Sequence, residues 1–214
     1  VQARKEINLF AERMRRMFGM LNELLHTTNE NDFNKLFSRI EKYENISDNM
    51  ELEIANYLNM VSEGRLSSES KLEIRGMLRE VTEIESIGDS CYNLARTINR
   101  KRSGGNDFTE KQYEHIHQMM QLTSDALAHM IAVVEDEHHV VDVNKSFNIE
   151  NEINNYRAQL KNQNVVDVNN KEYDYQMGVH YMDIIGECEK LGDYVVNVVE
   201  ARTNVKEKKT GDNR

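Results

Sequence analysis

Proline is absent from this chain, and glycine occurs only 10 times in 214 residues. At ordinary usage a chain of this length would carry roughly ten prolines. Proline breaks helix interiors and sheet ladders, whereas all-β folds need many turn residues, so the shortage of both points to long helices. Cysteine is scarce too: Cys91 and Cys188 are the whole complement, one in each half. That is too few for a disulfide framework and fits a reduced, intracellular chain with two structural thiols. No run of about 18 apolar residues is present, and no signal-like segment opens the chain. Basic residues are outnumbered, 27 Lys and Arg against 37 Asp and Glu, for a net charge of −10. Phosphate backbones demand clustered cations, so nucleic acid is excluded as a partner. There is no glycine-rich phosphate loop or nucleophile elbow, and neither cysteine has an evident basic partner. Enzymatic activity is not expected.

The few turn signals are legible. Polar or glycine-containing breaks fall at 26–32, 62–70, 102–110, 136–146 and 161–172. They predict helices near 2–27, 32–62, 68–101, 109–136, 145–162 and 170–205, with Thr109 and Gln112 reading as a capping box. The Gly104-Gly105 break divides them three and three. Met177, Tyr181, Ile184, Cys188, Leu191, Val195 and Val198 step along one helix face, and Ile74 through Ile98 do nearly the same, as heptad-like seams do. The expected fold is all-α, two tandem antiparallel three-helix bundles over 1–103 and 104–205. The charged tail over 206–214 should be disordered.

One pattern is written twice. Glu85, Gly88, Asp89 and Asn93 return as Glu189, Gly192, Asp193 and Asn197, each 104 residues later. Residues i and i+4 share a helix face, so each copy is a stripe of carboxylates beside an apolar seam, where repulsion grows as the dielectric falls. That calls for a cation between the oxygens. A mid-helix glycine costs about 1 kcal/mol relative to alanine, and its repetition suggests close approach by a neighbouring helix or a ligand shell. The preceding helix offers a facing stripe, Glu44 and Asp48, extended by Glu41 and Glu51. The second half aligns at an offset of 106 and offers Glu150 with Asn154 in place of the aspartate. Facing acidic stripes make an oxygen-rich site for hard or borderline metal ions. The competing reading is a solvated acidic face, or salt bridges to Arg79, Arg96, Lys190 or Arg202.

The stretches EIESIGDSCYNLAR and ECEKLGDYVVNVVE resemble the paired E(D)xxxD motifs of PhoU proteins. That resemblance implies two tandem three-helix bundles whose motifs hold multinuclear metal clusters, commonly iron or zinc. Carried over by position, the ligands would be Glu44, Asp48, Glu85 and Asp89 in the first bundle and Glu150, Glu189 and Asp193 in the second. Asn93 and Asn197 extend the stripes as further candidates, and Asn154 departs from the acidic pattern. EKYENISDNMELEIANYLNMVSEGRLS is similar, more narrowly, to the PhoU-like domain at the C-terminal end of bacterial sodium/phosphate cotransporters. A start at Val1 without an initiator methionine fits a domain cut from such a chain. So does the basic first helix, with Arg4, Lys5, Arg13, Arg15 and Arg16, since positive residues favour the cytoplasmic side of a membrane. The implied role is a soluble regulatory domain on the cytoplasmic side of the inner membrane. Its partner would be the membrane portion of the same chain or a separate transporter or sensor, and a homodimer is left open. The alternative function is a metal-free helical scaffold that docks such a partner. A ferritin-like di-iron centre is disfavoured: its Glu-x-x-His pairs, Glu23–His26 and Glu135–His138, fall at helix ends rather than mid-bundle.

Overall fold

The computed structural model describes residues 2–211, with side chains to 204. Six helices follow in order: α1 Gln2–His26, α2 Glu30–Ser62, α3 Ser68–Ser103, α4 Glu110–Glu135, α5 Asn144–Asn169 and α6 Tyr175–Gly211. Among the described residues there is no strand. The starts are set by the residues that favour them: the side chains of Asn29 and Ser67 accept from the backbone N–H groups of Asp32 and Ser70. Thr109 and Gln112 exchange hydrogen bonds of 2.9 and 3.1 Å, a complete capping box.

Two boundaries differ from expectation. Helix α5 runs on through the Asn-rich stretch expected to break it and ends only at Asn169. Asparagine is a mediocre helix former but not a breaker, and here Asn164 has tertiary work: the Tyr173 hydroxyl donates to its Oδ1 at 2.6 Å. The turn comes later, with Lys171 in the left-handed region at φ 59°. Helix α6 continues to Gly211, into the segment expected to be disordered. The side chains of that segment from 205, and residues 212–214, lie outside the described residues.

Helices α1, α2 and α3 pack on one another, and in the second half α6 packs on α4 and α5, which also meet. The two bundles join through α3 against α6, the most extensive contact, and α1 against α4; among the described residues, α2 and α5 touch only helices of their own bundle. The apolar core is continuous through this junction: Ile84, Ile87, Cys91 and Leu94 of α3 are buried with Ile184, Cys188, Leu191 and Val195 of α6. Both cysteines are free and fully buried. Burial pushes the Cys188 thiol up to about 12 and raises that of Cys91 as well.

The seam is registered by a reciprocal pair of polar contacts. Asn93 Nδ2 donates to Glu187 Oε1 at 3.4 Å, and Asn197 Nδ2 donates to Glu83 Oε2 at 3.1 Å. Each contact is the other's counterpart under the 104-residue offset, so α3 and α6 cross antiparallel about a pseudo-twofold axis at the level of Gly88 and Gly192.

Two of the basic residues of α1 are drawn into the fold. Arg13 stacks its guanidinium 4.2 Å from the Tyr43 ring centre. Arg4 forks onto Glu80 at 2.7 and 2.9 Å, and Glu80 is only 1% exposed. Arg4→Ala strands that carboxylate and should lower unfolding free energy by about 2–3 kcal/mol, read as a lower urea midpoint at unchanged slope.

Candidate metal centre

The first repeat brings its two acidic stripes face to face. One oxygen from each of Glu44 and Asp48 on α2 and Glu85 and Asp89 on α3 lies within 4.8 Å of the other three. Oxygens around one ion at the usual 2.0–2.6 Å are separated by about 4–5 Å at most, so four ligands from two helices can share a centre. Glu44 and Glu85 are half-buried while Asp89 faces solvent, which leaves one side open.

The glycine of the motif makes this convergence possible. A Cβ on Gly88 would stand 3.3 Å from Glu44 Oε2 and 3.3 Å from Met14 Sδ. Its absence lets the Glu44 carboxylate lie against the α3 backbone. Glu44 Oε2 is buried there without a hydrogen-bond partner, an acceptor that still lacks a cation or a donor.

The electrostatics follow from crowding. Burial first, then the hydrogen bond to and charge of Asp89, then the charges of Asp48 and Glu85, push the Glu44 carboxyl up to about 9. Burial and Asp89, followed by Glu51 and Asp48, push Glu85 up to about 8. Glu51 is raised by burial and by Asp48 and Asp89. The quartet therefore holds protons at neutral pH, which any cation bound there would displace. The residues fit a hard cation: oxygen donors only, an unpartnered buried oxygen, and negative charge in excess.

The second repeat is built differently. Burial, and then the neighbouring Asp193, raise the Glu150 carboxyl, and a hydrogen bond from Asn154 opposes part of that rise. Glu189 faces Arg157, whose Nε stands 3.6 Å from Glu189 Oε2. Burial raises Glu189, and the Arg157 charge opposes that rise. At the 106-residue offset Arg157 occupies the place of Glu51, and Asn154 that of Asp48. Three acids in the first repeat thus become one acid, one amide and one guanidinium. A Cβ on Gly192 would meet Ile153 Cδ1 at 3.3 Å rather than a carboxylate. Among the described residues, only the first quartet forms a convergent group of three or more ligand-type side chains; Glu150, Glu189 and Asp193 do not join in one. Asn93 and Asn197 point across the repeat junction to Glu187 and Glu83. The sequence reading passed over Arg157, although the charge reversal at its aligned position was there to be read. It also passed over Glu83 and Glu187, which carry no local signal.

The family model described as "PhoU domain" matches the chain twice, over residues 7–98 and 116–201. Two solved structures are similar. One is the phosphate transport system regulatory protein PhoU from Streptococcus pneumoniae, with a TM-score of 0.77 and 14% identity, covering 96% of this chain and 93% of that one. The other is PhoU from Pseudomonas aeruginosa, with a TM-score of 0.73 and 14% identity over 97% and 96%. At such identity the likeness is one of fold. No curated protein sequence matches the chain.

Glu44 and Glu85 hold protons more tightly in the folded state than the ordinary value of 4.5. Their contribution to stability is full below about pH 4.5 and is lost as pH rises through 8 to 9. The metal-free protein should therefore melt at progressively lower temperature from pH 5 to pH 9, by about 2–4 °C for each kcal/mol lost. Glu44→Gln should flatten that slope and raise the melting temperature at pH 9 above that of the unaltered chain. Scanning calorimetry in chelator across this range checks both.

Proposed function

Because this chain belongs to the PhoU family, we propose that it is a non-catalytic regulator of phosphate transport whose first repeat is set by a bound metal ion. The observation that carries the reading is the convergence of Glu44, Asp48, Glu85 and Asp89 on one centre, in a chain that the family model matches in both repeats. The structurally similar Streptococcus pneumoniae protein is described as a regulator of a phosphate transport system. Glu44 and Asp48 would hold the ion from α2, and Glu85 and Asp89 from α3. When bound, the ion supplies positive charge that neutralises the quartet. Carboxylates without histidine or cysteine favour a hard ion such as iron(III) over zinc.

The ion's role is structural and conditional. With the quartet neutralised, α2 and α3 no longer repel along their shared face. Without it, that face is held only by protons and drifts with pH. Binding that favours one arrangement of α2 against α3 gives the domain a means to prefer one state of a partner, which is what regulation requires. In the second repeat Arg157 supplies a positive charge internally, so one loaded centre per chain is the expected state.

The partner is read as a membrane transporter engaged from the cytoplasmic side, specifically a sodium/phosphate cotransporter, either as another part of the same chain or as a separate protein. Support for this comes from the likeness of residues 41–67 to such domains and from the basic residues of α1 that the fold leaves exposed, Lys5, Arg15 and Arg16. Among the described residues no helix is long and apolar enough to cross a membrane.

Elemental analysis of the purified chain should find one centre's worth of metal, and Asp89→Ala should lose it with helix content unchanged. Metal content equal in the two proteins would remove the quartet from the reading and leave a scaffold that docks its partner without metal. For regulation, labelled-phosphate uptake should be compared in cells whose transporter carries or lacks this domain. A change in rate, or in its response to external phosphate, is expected. Identical uptake in both would end the regulatory assignment.

A further inference from the structure

A second group of metal-ligand side chains lies far from the acidic quartet, where the two repeats meet through α1 and α4. His26 closes α1 and His117 sits in the second turn of α4. Their Nε2 atoms face each other at 2.5 Å, with ring centres 4.5 Å apart and planes inclined by 55°. The two residues are 91 apart in sequence and belong to different repeats. Both rings reach solvent at the rim of a cavity of about 320 Å³, also lined by Asn22, Gln121 and Ser124.

Each side of this pair is held in place. The end of α1 is fixed by Arg102, which donates to the carbonyl oxygens of Thr27 and Thr28 at 3.0 and 2.7 Å. The start of α4 is fixed by the Thr109–Gln112 capping box. Tyr113 stands beside both rings, its centre 6.1 Å from His26 and 6.4 Å from His117. Its hydroxyl is engaged with Asp107 and Lys101.

Two neutral imidazoles that each carry their proton on Nδ1 present lone pairs at Nε2. When one ring carries its proton on Nε2 instead, that N–H donates to the facing Nε2 as an ordinary hydrogen bond. With both protons on Nδ1, the two facing lone pairs are placed to take a metal ion between them. Two nitrogens bound to one tetrahedral ion at about 2.0–2.1 Å lie roughly 3.3 Å apart. The rings need to separate by less than about an ångström to reach that spacing, and rotation of two solvent-facing side chains provides it. Imidazole nitrogen selects borderline divalent ions over calcium and magnesium, the reverse of what the carboxylate quartet selects. Burial and the neighbouring His117 both lower the proton affinity of His26, which leaves its nitrogen available near neutral pH.

We propose that His26 and His117 form a second cation site, for a borderline divalent ion such as Zn2+, Ni2+ or Cu2+, which clasps the first repeat to the second at the α1–α4 contact. The remaining positions would be filled from the cavity side, which Asn22 and Gln121 also line, by water or an amide oxygen. The site joins elements of different repeats, whereas the acidic quartet lies within one repeat. An ion there therefore acts on how the two bundles sit together.

The probe is Cu2+ at one equivalent with the full chain at neutral pH, read by electron paramagnetic resonance. The expected spectrum carries hyperfine splitting from two equivalent imidazole nitrogens. His26→Ala and His117→Ala should each abolish the two-nitrogen pattern. Both residues are solvent-facing, so the variants should keep their helix content, checked by circular dichroism. Asp89→Asn, which removes a carboxylate from the quartet, should leave the pattern in place, so failure here is distinct from failure at the acidic centre. A two-nitrogen pattern that survives in both histidine variants belongs to other histidines and overturns the proposal. So does a wild-type spectrum without imidazole coupling, in which case a proton alone joins the rings.

Discussion

Where α3 crosses α6, two apolar seams close on each other and place both signature motifs back to back. The contact is apolar at its centre, with Cys91, Leu94, Cys188 and Leu191 fully or nearly fully buried, and polar at two flanking points, Asn93 with Glu187 and Asn197 with Glu83. The apolar part supplies the association and the amide–carboxylate pairs fix the register, since sliding by one turn would bury each carboxylate without its donor. Everything that gives the site its geometry hangs on this axis. It fixes α3, and α3 presents Glu85 and Asp89 to α2.

The two motifs have the same letters and opposite electrostatics. In the first, crowded carboxylates against a glycine leave a buried oxygen without a partner, and the negative charge can be balanced only by protons or an ion from outside. In the second, Arg157 stands at Glu189 and the place held by Glu44 beside the glycine is taken by Ile153. The motif alone does not decide whether a site is left with unbalanced charge. The residues facing it from the preceding helix do.

Much of the fold was readable because helices announce themselves by period and by their caps. The six elements, their grouping in threes and the seam residues of α3 and α6 all follow from apolar spacing and a few turn signals. The end of α5 did not, because asparagine-rich sequence weakens a helix without stopping it, and what carries α5 to Asn169 is contact with α6 and Tyr173. Glu44, Asp48, Glu85 and Asp89 were readable as facing i,i+4 pairs. Asn93 and Asn197, read as extending the ligand stripes, face the repeat junction instead, for a geometric reason. Each i,i+4 step overshoots a full helical turn by about 40°, so two steps carry the asparagine roughly 80° around α3 or α6, away from the quartet face and onto the seam. Arg157 needed one more comparison, of the facing helices residue by residue, where a glutamate in one repeat aligns with an arginine in the other.

The reciprocal contact across the axis is self-complementary: one repeat carries both the asparagine that donates and the glutamate that accepts. A half-length chain with this surface would hold all that is needed to close on a second copy of itself with twofold symmetry. Joining two such halves in one polypeptide makes the encounter independent of concentration. It also breaks the obligation for both halves to be alike. In a symmetric dimer any substitution appears twice, so an arginine that fills one acidic centre would fill both. In the fused chain one half can keep its unbalanced carboxylates while the other neutralises its own, a difference between the two sides that no pair of identical subunits could have.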